Sequence, residues 1–232
     1  MSVADEILRI QQAKSDLATS ITNKGVTVPS SATLDDYPAL VDQIQQGGSS
    51  LPYDAEISYL ITDGSAYIDT GIDGKKLLIV SITMARAEDT GSNSRAFFGF
   101  WHDTSSYTGL IQLLTQSNKI VAPSGRNSFT LAGISSSTTL VQDTFYSFTV
   151  TQTSVTTTDR TAYIFCRNNG APSMINTHVK IKRVSMTRNN TLVRDFIPVR
   201  VGQVGYMYDR VSSQLFGNAN STGAFILGPD VT

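Results

Sequence analysis

Residues 192–230 read LVRDFIPVRVGQVGYMYDRVSSQLFGNANSTGAFILGPD. Four runs of branched and aromatic side chains, 192–200, 204–208, 214–216 and 224–227, are separated by clusters of Gly, Asn and Ser, the pattern of short strands joined by turns. Arg194 and Asp195 are consecutive, so in a strand they point to opposite faces and each must find its partner elsewhere. Val199, Tyr206, Tyr208 and Phe216 are expected to close a core. Strands this apolar need a partner sheet, and no catalytic pair is visible among them.

That partner sheet is legible upstream. Residues 57–61, 66–72, 77–85, 95–101, 109–114, 145–151, 161–166 and 178–186 are further strand candidates bounded by turn-forming clusters. Tyr146, Phe148 and Val150 alternate with more polar neighbours and are expected to face the core. Between Ile181 and Val184 the apolar phase switches, which predicts a bulge at Lys182 and Arg183. Asn189 and Asn190 tolerate positive φ and turn this strand into the next. Many short strands without an amphipathic helix after residue 50 predict a mainly β chain, two packed antiparallel sheets, with a small N-terminal α-helical segment.

Length and composition agree with this. At 232 residues the chain can bury a sizeable core, and charged residues make up only 16%, which suits a β protein with a weakly charged surface. A net charge of −1 and scattered Arg residues give no basic stripe for phosphates, so no nucleic-acid partner is expected. The opening SVADEILRI lacks the apolar region of a secretory signal, and no run of 18 apolar residues suggests membrane insertion. The single cysteine, Cys166, sits in a strand-like run where a small buried thiol is expected.

The first fifty residues differ. Val3, Ile7, Ile10, Lys14, Leu17 and Ile21 follow a 4-3-4-3-4 spacing, the seam of a short coiled coil, with Lys14 as a lone polar residue able to fix register. An ordinary amphipathic helix packed on its neighbour reads equally well. Gly25 ends this helix; Thr33, Asp35 or Asp36 starts a second with Pro38 in its first turn and Leu34, Tyr37, Leu40, Val41 and Ile44 on its apolar face. Three basic residues (Arg9, Lys14, Lys24) face six acidic ones (Asp5, Glu6, Asp16, Asp35, Asp36, Asp42), so this part carries −3 and the remainder +2. Fifty residues with two short helices hardly bury a core alone, so residues 1–46 are expected to attach to another copy or another protein. Residues 47–54, with the run GGSSLP, read as a linker.

AKSDLATSITNKGVTVPSSATLDDYPALVDQI, residues 13–44, resembles the short helical modules of tail, baseplate and fibre proteins of tailed bacteriophages. In residues 55–232, YLITDGSAYIDTGI, RAFFGF, TAYIFCRNNG, VKIKRVSM, TLVRDFIPVR, VGYMYDRVSSQLFGN and GAFILGPDV resemble, in order, a concanavalin A-like, laminin G-like jelly-roll domain of gut Bacteroidetes and their phages. The resemblance implies a lectin-type jelly roll but no particular ligand, since such folds host glycan binding, hydrolysis and plain scaffolding.

Chemistry is sparse. Glycosidases need two flanking carboxylates, and only Glu56 and Glu88 occur after residue 50; Asp69, Asp73, Asp103 and Asp209 could supply acids, but Asp69, Asp73 and Asp209 stand in the opening and closing motifs, where turn-stabilising roles fit better, so no catalytic residue is expected. His102 and His178 with one cysteine make no zinc spacing. No cofactor is expected, although a calcium site in a rim loop leaves no local signature. The loop 100–107, FWHDTSSY, holds the sole tryptophan, Trp101, beside His102, Asp103 and Tyr107: an aromatic plate with polar neighbours is what sugar recognition uses. The plainer reading makes Trp101 a core residue ending a strand. Arg126 with Asn127, and Arg167 with Asn168 and Asn169, are lesser candidates.

These readings predict a non-enzymatic structural protein of a tailed-phage virion, a head or tail fibre, appendage or decoration protein. It would form a homo-oligomer, a trimer by preference, contact other virion proteins through residues 1–46 and present a lectin-like domain to a host glycan. The rival expectation is a bacterial cell-surface carbohydrate-binding adhesin.

Overall fold

The computed structural model describes residues 2–43, 51–101, 111–121, 129–155 and 159–231. The chain divides into two compact units, Met1–Leu51 and Pro52–Thr232, the division falling inside the expected linker.

In the first unit, helix α1 (Val3–Thr22) opens on a capping box: Ser2 Oγ accepts the Asp5 N–H (3.2 Å) and the Asp5 carboxylate accepts the Ser2 N–H (2.8 Å). Gly25, at φ +86°, turns the chain after its end. The Asp36 carboxylate then accepts the Thr33 N–H (2.6 Å) as a 3-10 turn, Leu34–Asp36, leads into helix α2 (Tyr37–Asp42), which carries Pro38 in its first turn. Ile21, Val26, Ala32, Tyr37 and Leu40 form a small core, and the Tyr37 hydroxyl donates to the Lys14 carbonyl (3.2 Å). The unit therefore buries more of its own than its length suggests. The seam of α1 is divided by this packing. Ile21 lies in the core and Lys14 is half-buried, while Val3, Ile7, Ile10 and Leu17 stay 79, 52, 44 and 40% exposed.

The strands of the second unit are β1 (Ala55–Glu56), β2 (Leu60–Thr62), β3 (Ile68–Asp73), β4 (Leu78–Arg86), β5 (Arg95–Phe100), β6 (Ile111–Gln116), β7 (Lys119–Val121), β8 (Phe129–Ala132), β9 (Phe145–Gln152), β10 (Thr161–Ile164), β11 (Arg167–Asn168), β12 (Pro172–Ser173), β13 (Val179–Arg188), β14 (Thr191–Val201), β15 (Val204–Asp209), β16 (Gln214–Phe216) and β17 (Phe225–Leu227). They form two sheets. The larger runs β16-β15-β14-β13-β4-β9-β8, with β1 on β14 and with β2 linking β13 to β17; the smaller runs β12-β11-β5-β10-β3, with β6 on β5 and β7 beyond it. Strand pairs are antiparallel except β11 on β5, which meet at Asn168 and Phe100. The chain is thus a mainly β, two-sheet antiparallel sandwich with a small N-terminal helical segment, as the strand pattern predicts.

Between the sheets Leu60, Val80, Ile82, Met84 and Phe196 meet Ile68, Phe97, Phe98, Phe100, Leu113 and Ile164, each at most 1% exposed. Full burial of such a side chain contributes roughly 1.5–3 kcal/mol. The Phe97 and Phe148 rings, one from each sheet, stand edge to face at 6.4 Å.

Several local expectations meet their physical test here. In the β13–β4 ladder the register shifts between Ile181 and Arg183, so Lys182 is the extra residue of a bulge. Asn189 and Asn190 stand at φ +48° and +61° between β13 and β14. Arg194 and Asp195 do point apart. Arg194 donates to the Thr70 carbonyl (3.1 Å) near Asp209, whereas Asp195 accepts from Arg183 and faces Arg210 at 3.1 Å.

Other expectations need correction. Val199, Tyr206 and Tyr208 do not join the central core: with Ile197, Leu215 and Tyr53 they make a second cluster, while Phe216 packs on Phe196 at the core's edge. The cause is a split in the larger sheet. β13 and β14 pair from Val184–Phe196 onward, but below that point β14 pairs with β1 and β13 with β2. The same split divides the expected strand 57–61, so that Ile57 bridges Asp230 while Leu60 pairs with Ile181.

A candidate functional site on the larger sheet

Strand alternation sends Val80, Ile82, Phe148 and Val150 into the core and therefore sends Ser81, Thr83, Ser147 and Thr149 to the outer face of the larger sheet. Cross-strand pairing sets Ser81 against Thr149 and Thr83 against Ser147, and both hydroxyl pairs are hydrogen-bonded, at 3.1 and 2.8 Å. Ser185 on β13 continues one row, opposite Ser81, and Ala132 on β8 ends it, opposite Thr149. Beside Ala132 stands Gly133, at φ +89°, where a Cβ would come within 3.1 Å of the Ser147 carbonyl. Small side chains on four neighbouring strands leave a trough of about 420 Å³ that also reaches Arg183.

The trough has a bulkier end. Phe145 follows the outward alternation of Ser147 and Thr149 and is 37% exposed. Its ring lies 6.4 Å from that of Tyr59, and the Lys182 ammonium stands 5.4 Å from its centroid. Lys180, 4.5 Å from the Tyr59 centroid, is paired with Asp143 at 2.7 Å, and that hydrogen bond holds its ammonium above the ordinary lysine pKa. Arg183 grips Asp195 with two bonds, Nε–Oδ1 2.8 Å and Nη2–Oδ2 3.0 Å, which raise the guanidinium pKa further. Asp195 itself is nearly buried, while the Arg183 side chain stays 49% exposed.

Such a surface offers hydroxyl donors and acceptors, one aromatic face and cationic groups, the chemistry that can hold a polyhydroxylated ligand. The two glutamates of this unit have other contacts: Glu56 accepts from the Tyr53 hydroxyl (3.1 Å), and Glu88 lies 3.0 Å from His178 Nδ1. Among the described residues no group of three or more His, Cys, Asp or Glu side chains stands close enough to hold a metal, and no helix is long and apolar enough to cross a membrane.

Of the candidate residues in and around the Trp101 loop, the structure describes Trp101, Arg167, Asn168 and Asn169. Trp101 is 6% exposed and belongs to the core cluster; the Arg167 guanidinium lies 5.1 Å from its ring centroid and Arg160 donates to its carbonyl (2.6 Å). Its ring thus offers little face to a ligand. His102, Asp103, Tyr107 and Arg126 lie outside the described residues. Asn168 and Asn169 are turn-stabilising: the Asn168 amide oxygen accepts the Gly170 N–H (3.0 Å) and the Asn169 amide oxygen accepts from Arg160 (2.9 Å). Cys166 is fully buried, and burial pushes its thiol up to about 12. Asp69 and Asp73 accept backbone N–H groups two residues on, as turn acids do.

The trough escaped the sequence reading. Its only signal is the Ser/Thr set at alternate positions in VSITM (residues 80–84) and SFTVT (residues 147–151), which any solvent-facing strand pair also shows. Compared with known protein families, curated proteins and solved structures, the chain matches none.

Proposed function

We propose that the chain is a non-enzymatic structural protein of a tailed-bacteriophage particle, a fibre, appendage or decoration protein that carries a glycan-binding sandwich. The observation behind this reading is the division of labour between its units. The helical unit leaves the apolar seam Val3, Ile7, Ile10 and Leu17 open, a face suited to self-association or to another virion protein. The sandwich leaves open a trough of hydroxyls. Single contacts of this kind are weak, and several copies on one particle convert them into firm attachment through effective concentration.

The experiment is a glycan array probed with the full chain and with Ser147→Trp, which fills the trough from an exposed position. Binding by the parent and its loss in the variant are expected. An array blank for the parent overturns glycan recognition, and equal binding by the variant moves it away from this face.

A further inference from the structure

On the reading that the trough holds a glycan, we infer that its ligand is an acidic saccharide, whose carboxylate or sulfate sits at the Phe145–Lys182–Arg183 end.

The argument starts from the bulge. An extra residue in β13 puts two consecutive cationic side chains, Lys182 and Arg183, on the exposed side of the strand where regular alternation would bury one of them. Lys182 carries its ammonium over the Phe145 ring and, among the described residues, has no carboxylate partner. Its neighbours are matched only in part. Lys180 is neutralised by Asp143, and Arg183 shares Asp195 with Arg210 (Nε–Oδ2 3.1 Å). Four cations, Lys180, Lys182, Arg183 and Arg210, thus stand with two carboxylates, Asp143 and Asp195, around the place where Arg183 meets the trough. Glu56 lies across the adjoining cleft, hydrogen-bonded by Tyr53, and Asp230 there is taken by Arg200 at 2.7 Å.

This arrangement discriminates by charge. A neutral saccharide meets hydroxyls of which one O–H donor is already spent within each of the Ser81–Thr149 and Thr83–Ser147 pairs, so it gains only neutral hydrogen bonds there. An acidic group gains a charge-assisted bond from Lys182 and from the guanidinium N–H groups of Arg183 left after its bidentate grip on Asp195. Phe145 covers an apolar ring face beside it.

The test measures binding of the full chain to immobilised oligosaccharides in matched sets: neutral, carboxylated and sulfated versions of one backbone, for several backbones. Binding confined to the acidic members is expected, with the carboxylated and sulfated arms telling which group is read. Lys182→Gln and Phe145→Ala, both at exposed positions, are each expected to weaken it about tenfold. Equal binding to neutral and acidic members overturns the inference while leaving glycan recognition standing. Acidic binding untouched by Lys182→Gln overturns it too, since the charge read would lie elsewhere. No binding to any member removes both readings.

Discussion

Asp209 shows what one side chain does for the end of the sandwich. It is fully buried, yet its carboxylate accepts the N–H groups of Asp195 (2.8 Å), Val211 (3.2 Å) and Ser212 (3.3 Å) and the Ser212 hydroxyl (2.6 Å), with Arg194 at 3.5 Å. A carboxylate taken out of water is costly unless its oxygens are filled this way. It joins the β15–β16 turn to β14, so one residue holds three strands in place. Asp209→Ala leaves these donors without their acceptor and Arg194 without its carboxylate, and a loss of about 3–5 kcal/mol is expected in urea unfolding. Asp209→Asn, which keeps an acceptor oxygen, should lose visibly less; equal losses would show that the donors contribute little. The exposed Arg9–Glu6 pair is the contrast, since removing it should leave the urea midpoint essentially where it is.

At the scale of elements, a tight constraint lies where β15 passes β2 and β17. A Cβ on Gly205 would stand 2.6 Å from methyl carbons of both Leu60 and Leu227 and 3.1 Å from Phe225 Cβ. Gly205→Ala therefore pushes β17 off β15, at an expected cost of about 1–3 kcal/mol. Faster hydrogen exchange at the β17 amides of Phe225 to Leu227, with β4 and β9 unchanged, is the signature; unchanged β17 protection would sink the argument. The strands around this contact were legible because each carries its own period and its own turn residues. The bulge at Lys182 was legible for the same local reason, a slip in phase. Strands β7 (KIV) and β8 (FTLA), about as short as β2 and β17, were not. The trough was illegible for a different cause. It needs Ser81 beside Thr149 and Ser185, residues far apart in sequence, and only the ladder order β13-β4-β9-β8 brings them together. Trp101 shows the reverse: an aromatic beside polar residues looks like a binding plate in sequence, and the core claims it.

For the whole molecule the question is what covers α1. With 20 residues it is about 30 Å long, and its last turns are already occupied by Tyr37, Leu40 and Val26. The open part of the seam repeats with the coiled-coil period, placing Ile7 at an a position and Val3, Ile10 and Leu17 at d positions. Isoleucine at both a and d favours three strands over two. A seam this short is marginal as an isolated coiled coil, but each α1 also rests on the small core of its own unit, which fixes the helix before association and lowers the entropy lost on assembly. A trimer of the full chain is therefore expected by light scattering. Ile7→Glu with Ile10→Glu should reduce it to monomers while the far-ultraviolet signature of the sandwich persists, because neither residue belongs to the compact unit Pro52–Thr232. A parent chain that is monomeric at every concentration would remove self-association as the use of this face and leave a different protein as its occupant. A double variant that stays trimeric would place the contact elsewhere, and the open seam of α1 would then need another explanation.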